Sequence, residues 1–382
     1  MEQAGYHPLE RYPPREANAS ARRIEELLAP YGISLAPSKA PGRPAVDPKS
    51  LERSSKLHSA IVVHLRDDSL KGPDALPAQV SQGLDQLDEA LKEVRSILSG
   101  DEPPRWELDL GAGFDMQQPD FVGHLKLHTL LLAAAWRAAR TDAAESEMWL
   151  EAASRLRRGL VEDPLLVAQL ISISEMQTTQ RVLRGLSYLP VEWRNLLPDD
   201  LLRDRAFEAL RVESWLFIQT GRSGGVRSGG NESWTSRFFS YQGARGAMIA
   251  IDRAIEKLRR TDLRSFDPER FNVEIAEVVP RWNIIARMTL TNSLPVPVKA
   301  ARSDLDLELT RRALELRELL QVGKRDEIDL ESSQESTVAP GIEWKTAVDS
   351  GFVLVRAIGG EIPTQSQYPL PLEHRIPIPS LE

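Results

Sequence analysis

Cysteine is absent from the 382 residues. That excludes disulfide bonds, thiolate nucleophiles, Cys-ligated zinc and iron–sulfur clusters. It leaves the compartment open, because oxidising compartments permit disulfides without requiring them. Long apolar runs are missing too. The longest, residues 130–136, is much too short for the roughly 30 Å hydrocarbon core of a bilayer. The opening MEQAGYHP has neither the basic nor the apolar region of a secretory signal. The expectation is a soluble chain without a transmembrane segment. A positive excess is also lacking: 48 Lys and Arg stand against 56 Asp and Glu, a net charge of -8, with the two signs interspersed. Nucleic-acid binding needs a concentrated cationic face, so no nucleic-acid partner is expected.

What the chain does have is core-forming material. Hydrophobic residues make up 41% and charged residues 27%, which is the composition of a folded protein and not of a disordered one. Apolar residues recur at helical spacing. Residues 76–98 carry Val80, Leu84, Leu87, Leu91, Val94 and Leu98 at intervals of three and four, which predicts a helix with one buried face. A first helix is predicted at 18–29, capped by Asn18 or Ser20 and stopped by Pro30. Residues 37–48 read as a connector and 50–65 as a helix, although Ile61, Val62 and Val63 favour a strand on propensity.

After a long loop at 100–119, three helices are predicted in succession at 120–140, 143–161 and 164–186. Asp142 caps the second, and Asp163 followed by Pro164 opens the third. The first of the three is apolar nearly all round and should be central. The second has a stripe through Trp149, Ala152, Ala153, Leu156 and Leu160, with Arg155, Arg157 and Arg158 mostly off it. Further helices are predicted at 191–196, 199–218, 234–260, 267–292 with a kink at Pro280, and 299–322, and a Gly/Ser-rich loop at 221–233. From about Gly323 the character changes. A polar stretch precedes two extended segments, 342–348 and 352–358, joined by the hairpin signal Asp349-Ser350-Gly351. The pair is too apolar to hang free and should pack on the 299–322 helix; a further strand is expected at 374–378.

Each candidate for chemistry is incomplete. His124 and His128 are four apart on a predicted helix, as metal-binding pairs are, but Leu125 stands where the zinc-protease pattern has Glu, and no third ligand is suggested by spacing. No metal or cofactor is expected. The run Asp199-Asp200-Leu201-Leu202-Arg203-Asp204 resembles the Asp-rich element with which terpene cyclases hold magnesium and diphosphate. It also follows Pro198 and opens a helix, where carboxylates are favoured anyway, no second metal motif follows, and 6% aromatics is low for a carbocation pocket. The 221–230 loop contains GxxxxG, but Gly230-Asn231 replaces the Lys and Ser or Thr of a phosphate loop. No Gly-x-Ser-x-Gly elbow occurs, so catalytic residues remain unassigned. Trp193, Trp215, Trp234 and Trp282 are spread out as core residues usually are.

Residues 140–164, with Ala143-Ala144, Trp149-Leu150, Ala152-Ala153 and Glu162-Asp163-Pro164, resemble part of a tetratricopeptide repeat without copies at its period. A longer resemblance is carried by Asp120-Phe121-Val122-Gly123-His124-Leu125, LLVAQLISIS at 165–174, Pro190-Val191-Glu192-Trp193, Ala209-Leu210-Arg211-Val212-Glu213-Ser214-Trp215, Trp282-Asn283, residues 304–316 and Pro369-Leu370-Pro371-Leu372. Through these the chain is similar to a group of uncharacterised, mostly helical bacterial envelope proteins. That resemblance implies a helical fold and no established activity, and an envelope location if an N-terminal anchor was removed.

The expected architecture is therefore mainly α, a multi-helix bundle or array of antiparallel helical hairpins with a small C-terminal β-hairpin. Its parts are an N-terminal helix and linker at 1–50, a helical body at 51–322, and a linker and extended tail at 323–382. Two functions fit. The first is a non-catalytic interaction or scaffold protein with a protein partner. The second is an all-helical enzyme or small-ligand binder with a site between helices, using His124, His128 or Asp200.

Overall fold

The computed structural model describes residues 8–65 apart from 39 and 41, 74–222 apart from 199, positions 249, 252, 253 and 256, 295–328, 333–349 apart from 340, 352–359, and 373–378. Among these residues the helices are α1 (Pro8–Arg11), α2 (Ala19–Leu28), α3 (Pro48–Leu65), α4 (Ala78–Leu98), α5 (Phe121–Ala138), α6 (Ala143–Val161), α7 (Leu166–Gly185), α8 (Trp193–Leu196), α9 (Leu202–Arg222) and α10 (Pro295–Gln321). The strands are β1 (Ser333–Glu335), β2 (Glu343–Asp349), β3 (Phe352–Ile358) and β4 (Glu373–Pro377). The fold is mainly helical with a small C-terminal sheet. The expected helix at 267–292 and the 223–233 part of the expected loop lie outside the described residues, as does the 234–260 helix except for four helical positions. No helix among the described residues is long and apolar enough to cross a membrane.

Helix positions follow the periodicity that predicted them. The α4 stripe is buried from Val80 to Leu98. Burial decides α3, where Ile61 is fully enclosed by the core and the strand propensity of Val62 and Val63 is overridden. The central α5 buries all but Val122, Leu125 and Arg137 and packs on α6, α7 and α3. Its course beside α7 is parallel, with His128 opposite Thr179 and Trp136 against Gly185. Against α6 it is antiparallel, as the four-residue connection requires, and the Ser146 hydroxyl donates to Ala135 O at 2.8 Å.

The helix ends are specified by side chains. Asp120 and Asp142 accept from the N–H groups of Gly123 and Glu145, each at 3.0 Å. Asp163 does not cap α7 as its position before Pro164 suggests. The N-cap is Leu165, without a side-chain bond, and the buried Asp163 carboxylate instead receives the Arg15 guanidinium. Arg15 also pairs its backbone with Leu108, so the N-terminal segment is tied to the α6–α7 corner.

Asn18 does cap α2. Its Oδ1 accepts from Ala21 N (3.0 Å) and Arg105 N (3.1 Å), while Nδ2 donates to Pro103 O (2.9 Å). The loop at 103–105 is thereby held on the start of α2. Asn18→Ala should cost roughly 1–2 kcal/mol, the usual loss for a cap and an additional hydrogen bond. Urea denaturation measures it, and a change within error would show that the loop is held by other contacts.

Two glycines bring α5 into place. Gly32 has φ of 79°, and a Cβ there would overlap the Ser50 backbone at the start of α3. A Cβ on Gly123 would overlap Ser34 O. The first turn of α5 therefore lies directly on the 32–35 chain, where Asp120 N also donates to Leu35 O at 2.9 Å.

The sheet is antiparallel in the order β1-β2-β3-β4. The expected hairpin is its centre, in register with Val348 opposite Val353 and Trp344 opposite Ala357. Short β1 is an addition within the polar stretch that had no strand signal. The face carrying Trp344, Val353 and Val355 packs with Ile342 and Ile376 on Leu305, Leu309 and Ala313 of α10. Glu308 pins this contact: its carboxylate accepts from the Ser336 hydroxyl and from Thr337 N at 2.9 Å.

Candidate functional site

Ionisable and hydroxyl side chains gather inside the helical body where α5, α6 and α7 meet. From α5 come His124 and His128, from α6 Arg157, and from α7 Ser172, Glu175 and Thr179, all buried. Their placement follows from helical spacing. Ser172, Glu175 and Thr179 lie three and four apart on the face of α7 that turns inward, and His124 and His128 do the same on α5. Arg157 is four residues from both Ala153 and Val161, so it falls beside the apolar stripe of α6 instead of off it.

The contacts are sparse for so polar a cluster. Thr179 Oγ1 lies 3.3 Å from His128 Nε2 and donates to Glu175 O at 3.0 Å. One turn earlier on α5, His124 meets Trp106 edge to face, with ring centroids 4.3 Å apart. Among the described residues, both Glu175 carboxylate oxygens, Arg157 Nε, Ser172 Oγ, His128 Nδ1 and both His124 nitrogens have no hydrogen-bond partner. Buried polar groups are nearly always paired, so this concentration stands out.

Burial governs the charges. It pushes the Glu175 carboxyl up to about 8, with Arg157 pulling it partly back. It lowers Arg157 to about 10, against the opposing influence of Glu175. His124 and His128 fall to about 3, His128 also because of the Arg157 charge. At neutral pH the cluster thus holds two uncharged imidazoles, a protonated carboxyl and one guanidinium. Such a set offers donors and acceptors at short range and a carboxylic acid able to give up a proton.

Arg157, although buried, also borders the surface. It lines a groove of about 770 Å³ between α6, α8 and the start of α9, bounded at one end by Arg205 and Asp200. It is the side chain common to the groove and the interior cluster. A metal would need at least a third ligand beside the two histidines. Among the described residues no three His, Asp or Glu converge to hold one.

A second buried network lies between α7 and α10. Arg184 pairs with Asp306 at 2.8 Å and donates to Thr310, and the Gln180 amide, oriented as its neighbours' donors and acceptors require, donates to Asp306 Oδ2 (2.5 Å) and accepts from Leu307 N (3.3 Å). Arg317 caps the end of α7 by donating to Leu186 O (3.0 Å) and Arg184 O (2.9 Å). These groups are satisfied, which marks the network as structural.

The residues singled out in the sequence are thus divided. His124 and His128 enter the cluster. Asp200 is exposed and pairs with Arg205 at 2.7 Å, Asp204 lies in the first turn of α9, and Asp199 lies outside the described residues. The helix expected from Asp199 begins at Leu202, and its first amides are capped from α10, with Asp304 accepting from Leu202 N (2.7 Å) and Arg203 N (3.1 Å). Glu175 and Arg157 were not singled out. Their signal was present, an ionisable residue at an inward position on each of two adjoining helices.

Comparisons of the chain with protein-family models, curated proteins and solved structures find no match.

Proposed function

We propose that this chain is a small-ligand-binding protein whose site lies between helices α5, α6 and α7 and is reached from the groove beside α6. The observation that supports this reading is the fully buried Glu175 carboxyl, without a hydrogen-bond partner among the described residues, beside Arg157 and the two neutral histidines. Leaving such groups unsatisfied costs about 1–3 kcal/mol each, and more for charged ones, so a fold that keeps them gains something that pairs with them. A polar ligand that supplies donors and acceptors would recover that cost.

An interaction or scaffold role calls for a contiguous apolar surface. The exposed large apolar residues described, such as Val63 on α3, Val122 on α5, Met148 on α6 and Val322 after α10, are spread over different elements, as is ordinary for a folded protein's surface.

Thermal-shift screening of the full chain against small polar compounds of all charge types tests the reading. Binders should raise the Tm, and Glu175→Gln should remove the rise. A Tm unmoved by every compound, with only ordered water on Glu175 in a crystal structure, would refute it.

A further inference from the structure

Resting on the ligand-binding reading, we infer that the groove between α6, α8 and α9 takes a small organic anion, a carboxylate or phosphate ester whose charged end sits on Arg157 and Arg158. The groove is lined by five arginines and four acids, an excess of one positive charge. Most of these charges are already engaged. Arg155 pairs with Glu151 at 2.8 Å, Arg194 with Glu318 at 2.7 Å and Arg205 with Asp200 at 2.7 Å. The two other acids are held as well: Glu147 accepts from Val191 N at 3.3 Å, and Glu192 from the Asn195 amide at 2.6 Å.

Arg157 and Arg158 are left. Neither forms an ion pair among the described residues. Arg158 donates to Asn195 O at 2.8 Å and to Ser154 Oγ at 3.4 Å, both neutral acceptors. Arg157 is only 3% exposed, and its Nε has no acceptor among the described residues. A buried guanidinium without an anion is costly, and its planar fork matches a carboxylate or phosphate. Behind it stands Glu175, which burial favours in the protonated, uncharged form, so the nearest acid supplies little of the missing charge.

Size and wall chemistry make the anion organic. A groove of about 770 Å³ falls in the range of metabolite-sized sites and exceeds what an inorganic ion fills. Met148, Pro190, Leu197 and Pro198 give it apolar walls against which the body of such a molecule would rest.

Calorimetric titration of the full chain at neutral pH and low salt tests the assignment with benzoate and phenyl phosphate, their neutral and cationic counterparts benzamide and benzylamine, and inorganic phosphate. At least one aromatic anion should bind ten times or more tightly than benzamide, benzylamine and inorganic phosphate. Its relative affinity against the other anion separates a carboxylate from a phosphate site. Arg157→Met should weaken the anion at least tenfold. Arg158→Ala, at an exposed position that does not threaten folding, should weaken it several-fold, and Arg137→Met on another face should stay within twofold. Equal binding of benzamide or benzylamine, equal binding of inorganic phosphate, or affinity unchanged in both the Arg157 and Arg158 variants would overturn the organic-anion assignment. The ligand-binding reading survives that outcome if the neutral or cationic compound loses its binding in Glu175→Gln. Absence of binding by the whole set overturns the organic-anion assignment, and the thermal-shift screen then decides the ligand-binding reading by itself.

Discussion

Replacing Asp306 by alanine is expected to destabilise the protein by roughly 3–5 kcal/mol, the cost of leaving one partner of a buried ion pair uncompensated. Arg184 and Asp306 are 2.8 Å apart with side chains 6% and 2% exposed, so solvent cannot take over when one is removed. Gln180 would lose the carboxylate to which it donates, whereas Thr310 keeps Arg184 and the Asp306 backbone carbonyl. The effect belongs to the broken pair more than to the pair itself. The double variant Arg184→Met/Asp306→Leu, which replaces both charges with apolar groups, should therefore recover at least half of the loss. Urea denaturation of the two variants measures both quantities. A loss below 1 kcal/mol for Asp306→Ala, or a double variant no better than the single one, would contradict the description of this network as dry and mutually satisfied.

Stability should pass through a maximum between about pH 6.5 and 7 and decline by about 0.6 kcal/mol from pH 6.5 to pH 8, a loss of about 1.7 kcal/mol at Glu175 being largely offset by the last of the histidine titration. The decline comes from Glu175. Its carboxyl ordinarily titrates at 4.5 but is pushed up to about 8 by burial, so the folded chain holds a proton that the unfolded chain has released. Unfolding is then favoured progressively as pH rises from 4.5 to 8, at about 1.4 kcal/mol per unit. Asp304, raised from 3.8 to about 6 by burial despite the amides of Arg203 and Leu202, acts in the same direction at lower pH. The histidines act oppositely. His124, His128 and His374 are held near 3, chiefly by burial, and gain protons below 6.5 only when the chain unfolds. Stability is thus lost as pH falls from 6.5 toward 3, where three histidines outweigh two carboxyls. Glu175→Gln should remove the fall between pH 6.5 and 8 while preserving the acid limb. Parallel profiles for the parent and Glu175→Gln above pH 6.5 would mean that the carboxyl is hydrated.

These two experiments probe different kinds of buried polarity. The α7–α10 network is closed, with each charge answered by another group of the chain. The α5–α6–α7 cluster is open, and its unanswered groups face a side chain that also lines the groove. Ligand binding and the upper limb of the pH profile are therefore linked through Glu175. An anion on Arg157 would weaken the attraction that now lowers the Glu175 value, keeping the carboxyl protonated to higher pH.

Among the described residues, the sequence alone determined all the helices but the short α1, most of their ends and the hairpin, because each rests on short-range physics. The α4 stripe, the caps at Asn18 and Asp142, and the alternation across Asp349-Ser350-Gly351 are all readable within a few residues. Glu308 and Asp304 were invisible as anchors because their partners, Thr337 and Leu202, lie 29 and 102 residues away. Asp163 had the spacing of a cap, yet the tertiary approach of Arg15, 148 residues distant, claimed its carboxylate. The candidate site shows the same division. Two histidines on one helix were legible from their spacing, but whether they met a metal, solvent or another helix depended on what packed against α5. Only the assembled structure placed Glu175 and Arg157 beside them, since charge and burial are local in space and not in sequence.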